Sequence, residues 1–332
     1  MEEMKKTQVS SEEKEVLVEI KDLSVTYKSE RATVYALNGV NLVIHKGESL
    51  GLVGETGAGK TTTAISLLRL LPRNATITGG SIYYDGESVM DMTEKQIRQK
   101  RGDKIAMIFQ NPLTSLNPVF TVGEQIAVLL RVHRGMNRRE AMKAAGELLE
   151  QVGIASYRTG DYPGQFSGGM RQRVGIAAGI ACNPELLIAD EPTTALDVTI
   201  QAQILELMAD LQKKRKTSLL MITHNLGIIS ELCQKVAVMY AGRIIEYGTV
   251  KEVFAHPAHP YTRGLLEALP NLEKKQERLH AIPGLIADSQ NLPSGCHFHP
   301  RCEHCTKRCE KERPEMIRLN DDHYVACFAH EE

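Results

Sequence analysis

Residues 166–197 read FSGGMRQRVGIAAGIACNPELLIADEPTTALD, and the rest of the chain is organised around them. The stretch opens with a Ser-Gly-Gly turn before a predicted helix, whose free N–H groups and dipole can bind an anion. It continues with an apolar strand, residues 186–189, that ends in the acid pair Asp190-Glu191. Adjacent carboxylates at a strand end can hold a metal ion and orient a water molecule. The stretch therefore predicts phosphate chemistry.

Residues 54–61 read GETGAGKT, which satisfies the phosphate-loop pattern G-x-x-x-x-G-K-[ST]. A nearly continuous apolar strand precedes this loop and an amphipathic helix, TTTAISLLRLL, follows it. In such a loop the glycines let backbone N–H groups approach phosphates, Lys60 reaches the outer phosphates and the Thr61 hydroxyl ligates Mg²⁺. The flanking strand and helix favour this interpretation over a chance Gly-rich turn.

Apolar strands alternate with helices through the rest of residues 16–254. Strands are predicted at 16–27 (bulged, or two short strands), 41–44, 49–53, 104–109, 186–189 and 218–223, with hairpins at 78–89 and 235–247. Helices are predicted at 61–71, 93–100, 122–132, 138–152, 198–216 and 261–269. This alternation predicts an α/β fold, with a mostly parallel sheet covered by helices and a helical insertion at 111–165.

Polar residues follow two of the apolar strands. Gln110 ends the strand at 104–109, and His224 follows the strand at 218–223. Because the carboxyl ends of parallel strands meet at one edge of a sheet, we expect His224 to lie near Glu191 and the phosphate loop. Gln110 at such an edge could contact Mg²⁺ and sense the nucleotide, whereas a solvated strand-end glutamine is the alternative.

Composition narrows the class of protein. The chain has 332 residues, 42% of them hydrophobic, and a formal net charge of −1, so its overall charge gives no case for nucleic-acid binding. No apolar run approaches the ~20 residues that span a bilayer. Residues 1–15 are polar and charged, without the apolar core of a signal peptide, and are predicted to be a disordered tail. These features favour a cytoplasmic location.

With the phosphate loop, the FSGGM turn, the acid pair and the later histidine in this order, the chain resembles the nucleotide-binding subunit of an ABC transporter. FSGGMRQRV, NPLTSLNP, HPYTRGLLEALP and AIPG resemble in particular the D-type ATPase of dipeptide/oligopeptide permeases. The resemblance implies a P-loop (RecA-like) α/β fold with an N-terminal antiparallel β subdomain. It also implies an ABC ATPase domain at 16–254, with a helical subdomain at about 111–175, and an oligopeptide-transporter-type domain at 255–332.

The resemblance implies a role for individual residues. Glu191 would be the general base, His224 would contact the γ-phosphate, and Gln110 would contact Mg²⁺ and relay to the membrane subunits. Mg²⁺ would be held by Thr61, Gln110 and Asp190. Tyr27 would stack on adenine, with Tyr35 a weaker candidate. The other nucleotide-binding residues are Gly54, Glu55, Thr56, Gly57, Ala58, Gly59, Lys60, Thr61, Thr62 and Asp190. Ser167, Gly168 and Gly169 would contact ATP held by the partner subunit, and Asp197, also in this set, matches an aspartate at the dimer interface.

The resemblance implies an ATP-hydrolysing subunit that powers import of di- or oligopeptides, in which ATP closes an ATPase dimer coupled to membrane subunits. The expected partners are a homologous F-type ATPase subunit or a second copy, two integral membrane permease subunits and an extracytoplasmic peptide-binding protein. The chain would lie peripherally on the cytoplasmic face of the membrane. The alternative is a soluble ABC ATPase of DNA repair or translation, and the short insertion without sustained heptads disfavours it.

Five of the seven cysteines lie in the last forty residues. In a reducing compartment this clustering indicates a metal site rather than disulfides, with free thiols as the alternative. C-x-x-C occurs once, at Cys302 and Cys305, so the spacing is not that of a zinc ribbon. The resemblance implies a [4Fe–4S] cluster, structural or redox-active, or else Zn²⁺. The implied ligands are Cys296, Cys302, Cys309 and Cys327, with Cys305 as an alternative.

Overall fold

The computed structural model describes residues 15–30, 32–111, 115–194, 196–268 and 282–331. The predicted tail, except residue 15, and the end of the helix predicted at 261–269 lie outside the described residues. The strands are β1 (Val16–Lys28), β2 (Thr33–His45), β3 (Ser49–Val53), β4 (Ala75–Tyr84), β5 (Glu87–Ser88), β6 (Ile105–Ile108), β7 (Leu186–Asp190), β8 (Ser218–Ile222), β9 (Lys235–Tyr240), β10 (Arg243–Thr249), β11 (Ile317–Asn320) and β12 (His323–Val325).

Seven of the ten helices described here were predicted, and those at 226–232, 250–255 and 307–311 were not. They are α1 (Lys60–Leu67), α2 (Glu94–Lys100), α3 (Val122–Arg134), α4 (Arg138–Gln151), α5 (Gly168–Ile180), α6 (Val198–Arg215), α7 (Leu226–Leu232), α8 (Val250–Ala255), α9 (Pro260–Glu267) and α10 (Lys307–Lys311). In the ranges that the structure describes, no helix combines the length and the apolar character needed to cross a membrane.

The N-terminal sheet is antiparallel, with strand order β2-β1-β4-β5. Its central strand β1 is one strand with register shifts, and one of them falls between Ile20 and Leu23, where the apolar pattern changes phase. A bulge adds one residue to a strand and so moves the buried face by one position. This confirms the bulged single strand among the two alternatives.

The second sheet has the order β11-β12-β10-β9-β3-β8-β7-β6 among the described strands. The five strands from β9 to β6 pair in parallel, and β10, β12 and β11 continue the sheet in antiparallel pairing. Every residue of β3, β7 and β8 is buried. Strands covered on both faces need nearly continuous apolar sequences, and these are apolar apart from one polar residue at an end of each, Ser49, Asp190 and Ser218. The predicted α/β fold with a mostly parallel sheet and an N-terminal antiparallel sheet is confirmed.

The helical insertion contains α3 and α4. Thr121 and Asn137 begin the two helices as N-caps, each accepting a hydrogen bond from the backbone N–H three residues later. Val122, Ile126 and Leu130 are spaced by one helical turn and are all buried, so α3 presents a continuous apolar face. Both helices pack against α5, which carries the Ser-Gly-Gly turn at its start.

The C-terminal extension, residues 282–331, is continuous with the second sheet. The hairpin β11–β12 adds to the edge strand β10, an arrangement that the sequence analysis missed. The fully buried Glu246 of β10 lies 2.7 Å from His323 Nε2, and its two carboxylate oxygens accept hydrogen bonds from Ala258 N and His259 N. The extension therefore packs on the ATPase sheet through satisfied buried polar groups, and the predicted domain bounds stay predictions.

Candidate active site

The phosphate loop connects β3 to α1 in the predicted position. Lys60 is buried, and its ammonium group donates to Gly54 O at 2.7 Å and to Glu55 O at 3.0 Å. Burial lowers the pKa of Lys60, while the negative charges of Glu191 and Asp190 partly offset this. The Lys60 ammonium group is therefore fixed by two backbone carbonyls of the loop and interacts with the carboxylates of Asp190 and Glu191.

Two glycines of the loop are required by close packing. Gly54 has a φ of +153°, and a Cβ there would lie 2.2 Å from Met239 O on β9. Gly59 has a φ of +106°, and a Cβ there would lie 2.7 Å from Ala36 O on β2. A side chain at either position would force the loop away from the sheet. The glycines therefore fix the loop between β9 and β2.

Thr61 and Asp190 form a hydrogen-bonded pair at the site, in which Thr61 is exposed and Asp190 is buried. The Thr61 hydroxyl donates to Asp190 Oδ2 at 2.7 Å, and Asp190 is 2% exposed. Burial raises the pKa of Asp190, and the hydrogen bond from Thr61 offsets this only in part. A hydroxyl and a desolvated carboxylate side by side are hard oxygen ligands, and a divalent cation would relieve the cost of burying the charge. The pair therefore fits Mg²⁺.

Glu191 brings together the ends of three parallel strands. Gln110, two residues beyond β6, donates from Nε2 to Glu191 Oε2 at 3.1 Å, and His224, beyond β8, places Nδ1 3.2 Å from Oε1. Thr194 also donates to Oε2, at 3.1 Å. The strand order thus places His224 near Glu191, as predicted, and brings Gln110 to the same carboxylate. Thr194 was not predicted, although the Pro-Thr-Thr sequence after the acid pair was an available signal.

Glu191 is held in its basic form and in an unusual backbone conformation. Burial opposes ionisation, but hydrogen bonds from His224, Thr194 and Gln110 outweigh it and leave the pKa of Glu191 below its ordinary value. Its φ is +46°, in the left-handed region that non-glycine residues rarely adopt. The backbone N–H donates to Ile222 O of β8 at 2.8 Å, which fixes this conformation. Such backbone strain is typical of functional positions.

The adenine candidate Tyr27 lies near the end of β1. Its hydroxyl is 3.2 Å from Thr62 Oγ1, one residue beyond the phosphate loop. Tyr35, the weaker candidate, lies on β2 with its side chain 44% exposed. The structure thus brings Tyr27 to the loop.

The Ser-Gly-Gly turn lies apart from this cluster. Ser167 is the exposed N-cap of α5, and its hydroxyl accepts from Met170 N. A Cβ at Gly168 would meet nothing within 4 Å. Among the hydrogen bonds of the described ranges, none joins Ser167 or either glycine to the phosphate loop. Asp197 likewise caps a helix, accepting from Ile200 N at 3.0 Å. The turn therefore presents an accessible helix N-terminus. The predicted contact with a nucleotide held by a partner subunit requires such an N-terminus.

Two side chains of the C-terminal part also reach the phosphate loop, and neither was predicted from the sequence. Arg301 forms a two-bond ion pair with the Glu55 carboxylate, and the Tyr261 hydroxyl accepts from Glu55 N at 2.8 Å. The Glu55 carboxylate within a phosphate-binding loop was a sequence signal for such a contact, because a nearby cation is needed to compensate its charge.

Comparison with known proteins agrees with this geometry. A family model described as ABC transporter matches residues 37–194, and one described as Oligopeptide/dipeptide transporter, C-terminal region, matches residues 245–309. A putative peptide import ATP-binding protein of Brucella melitensis is 49% identical over 330 residues, covering 95% of this chain and 98% of the relative. The oligopeptide transport ATP-binding protein OppD of Bacillus subtilis is 49% identical over 93% of this chain and 87% of the relative.

OppD of Salmonella typhimurium is 45% identical over 94% of this chain and 93% of the relative. Among solved structures, a dimeric ATP-binding cassette in a post-hydrolysis state, bound to ADP and Pi, superposes with a TM-score of 0.65. It is 30% identical, and the match covers 70% of this chain and 99% of that chain.

The fold and the site together define an ATPase of the ATP-binding cassette class. The chain belongs to the ABC transporter family, and within it to the ATP-binding subunits that carry the oligopeptide/dipeptide transporter C-terminal region.

Proposed function

We propose that this ATPase powers import of di- or oligopeptides through two integral membrane permease subunits supplied by an extracytoplasmic peptide-binding protein. The observation that supports this function most is the set of hydrogen bonds at the Glu191 carboxylate. Gln110 and His224 bind it, next to the hydrogen-bonded pair of Thr61 and Asp190. The relatives named for peptide import and oligopeptide transport match nearly the whole chain and supply the substrate class.

The residues divide the work of hydrolysis. Tyr27 stacks on adenine, and residues 54–62 bind the phosphates. Within this segment the Lys60 ammonium group pairs with the phosphate charge. Thr61, Gln110 and Asp190 would hold Mg²⁺, which would neutralise phosphate charge when bound. Glu191 takes the proton of the attacking water, since its lowered pKa keeps it ionised at neutral pH. His224 contacts the γ-phosphate.

A second ATPase subunit completes the site. Ser167, Gly168 and Gly169 would cover the γ-phosphate held by that subunit, with Asp197 at the interface, because a helix N-terminus stabilises an anion. The open space at Gly168 and the exposure of Ser167 leave room for this contact. The superposed cassette is described as dimeric. The partner is a homologous F-type ATPase or a second copy.

A groove beside the helical insertion is the docking surface for a membrane subunit. This cavity of about 310 Å³ lies between the end of β6 and helices α3 and α5. Phe109 and Leu70 line it and are 39% and 40% exposed. Large exposed apolar side chains in one groove are typical of interaction sites. Phe109 directly precedes Gln110, so a segment docked here would be one residue from the Glu191 cluster, and the chain would lie on the cytoplasmic face of the membrane.

The test of this function is ATP hydrolysis by the purified transporter, with the membrane subunits and the partner ATPase present. We expect the rate to rise when peptide-loaded binding protein is added and to stay low with binding protein alone. The same preparation with a non-peptide solute is the control. A rate that ignores peptide, or that responds to nucleic acid instead, contradicts the proposal.

The cysteine-rich extension is proposed to hold a [4Fe–4S] cluster, with Zn²⁺ as the alternative. In the described residues no group of three or more His, Cys, Asp or Glu side chains is arranged to hold a metal ion. One cavity of about 200 Å³ is nevertheless lined by the four implied ligands, Cys296, Cys302, Cys309 and Cys327, and not by Cys305. Four thiols facing one space are a donor set that fits either group.

Metal analysis of the chain purified without oxygen tests this site. We expect about four iron atoms per chain, as one [4Fe–4S] cluster requires, and their loss in Cys302→Ser or Cys309→Ser. Cys305→Ser is the matched control and should keep its iron, because that thiol lies outside the cavity lining. A colourless protein that contains zinc and no iron would assign the site to Zn²⁺, and a metal-free protein would refute it.

A further inference from the structure

Glu55, the second residue of the phosphate loop, is bound by the C-terminal extension. Its carboxylate accepts from Arg301 Nη1 at 2.7 Å and from Nη2 at 3.2 Å. The Arg301 side chain is 4% exposed, whereas that of Glu55 is 24% exposed. Paired N–H donors on one carboxylate give both strength and a fixed orientation. The ion pair thus joins two segments that are 246 residues apart in sequence.

The Arg301 guanidinium is itself fixed by its surroundings. Its Nε donates to Pro283 O at 2.9 Å, and its central carbon lies 5.9 Å from the centroids of the Tyr240 and Phe298 rings. Aromatic faces at this distance attract a cation. The side chain is therefore placed before any nucleotide arrives.

The backbone of Glu55 connects the extension with the phosphate-binding lysine. Its N–H donates to the Tyr261 hydroxyl at 2.8 Å, and its carbonyl accepts from Lys60 Nζ at 3.0 Å. The same carbonyl accepts from Ala58 N inside the loop at 3.1 Å. The extension and α9 thus bind Glu55, whose carbonyl also accepts the hydrogen bond from Lys60. A displacement of Glu55 would move the lysine and the loop amides together.

The charge of Glu55 makes this contact necessary. A carboxylate in a loop that binds the phosphates of ATP repels them. The negative charge of Glu55 also attracts the Lys60 ammonium group. Arg301 cancels that charge by direct pairing. Without Arg301, the loop would carry an uncompensated carboxylate next to the phosphates.

We propose that Arg301 is a positioning residue for ATP, which neutralises Glu55 and fixes the phosphate loop from the C-terminal extension. The inference rests on ATP binding at Lys60. It assigns to the extension a part in nucleotide binding, in addition to any metal that it holds.

A double-mutant cycle on the full-length chain tests the inference, with affinity for ATP and Mg²⁺ measured by displacement of a fluorescent ATP analogue. We expect Arg301→Gln to weaken ATP binding about tenfold or more, because it leaves the Glu55 charge unpaired. Glu55→Gln should have a smaller effect. The double variant E55Q/R301Q should bind ATP more tightly than R301Q does, since the repelling charge is gone.

This rescue separates a charge effect from loss of structure. If Arg301 only stabilised the fold, both substitutions would lower the melting temperature and the double variant would bind no better than R301Q. If R301Q fails to fold, E55Q and E55Q/R301Q are compared instead. Their affinities should agree within about threefold, and a tenfold gap would overturn the inference.

Arg318→Gln is the matched control. Arg318 lies on β11 of the same extension and pairs with Asp321 on the surface, away from the loop. We expect wild-type affinity for ATP in this variant. Failure of the wild-type chain itself to bind ATP would refute the proposed function, whereas equal binding by wild type and R301Q would refute only the role of Arg301.

Discussion

Glu191→Gln is expected to bind ATP about as tightly as the wild-type chain and to hydrolyse it at least ~100-fold more slowly. Glutamine keeps the shape of the side chain and can still accept hydrogen bonds, but it takes no proton from water. The wild-type carboxylate is the basic form at neutral pH, because its hydrogen bonds with His224, Thr194 and Gln110 lower its pKa. Binding relies on Lys60 and the loop amides, which the substitution leaves in place.

Phosphate release and nucleotide affinity, measured on the same preparation, decide this prediction. Glu231→Gln is the matched control, since Glu231 is an exposed residue of α7 outside the cluster. Hydrolysis by Glu191→Gln at the wild-type rate would refute the assignment of Glu191 as the base. Loss of ATP binding instead would mean that Glu191 mainly shapes the nucleotide pocket.

Gly168→Asp is expected to lower hydrolysis by the assembled transporter about 100-fold while the isolated chain remains as stable as wild type. A Cβ at Gly168 meets nothing within 4 Å, so the subunit has room for the side chain. An acidic residue in the first turn of a helix is favourable to the helix dipole. In the closed dimer, however, the carboxylate would face the γ-phosphate of the partner and oppose closure.

Gly168→Asp should therefore change the rate of ATP hydrolysis without changing the melting temperature or the affinity for ATP. The melting temperature and the affinity are set within the chain, whereas the rate of hydrolysis depends on the second subunit. Gly160→Asp is the control, because Gly160 is exposed and a Cβ there would likewise meet nothing within 4 Å. Undiminished hydrolysis in Gly168→Asp would show that the turn does not approach a nucleotide.

Much of the site could be predicted because its parts are local in sequence. The phosphate loop is one continuous segment with a diagnostic spacing, and the acid pair directly follows a buried strand. Parallel pairing then brings Gln110, Glu191 and His224 to one edge of the sheet, so their convergence followed from strand ends alone.

The contacts of the extension could not be predicted in the same way. Arg301 and Glu55 meet across the fold, and no periodic pattern records which arginine compensates a given carboxylate. The strands β11 and β12 are four and three residues long, too short for an alternating pattern to show. The pairing of β12 with β10 is a tertiary effect that local propensity does not predict.

Uptake of a labelled oligopeptide into proteoliposomes is the most direct test of peptide import powered by this chain. They would hold the complete transporter, with ATP and Mg²⁺ on the side of this chain and peptide-loaded binding protein on the other. We expect peptide to accumulate with the wild-type chain and not with Glu191→Gln, although both bind ATP. Accumulation with Glu191→Gln, or none with wild type while ATP is hydrolysed, would contradict an ATPase that powers peptide import from this site.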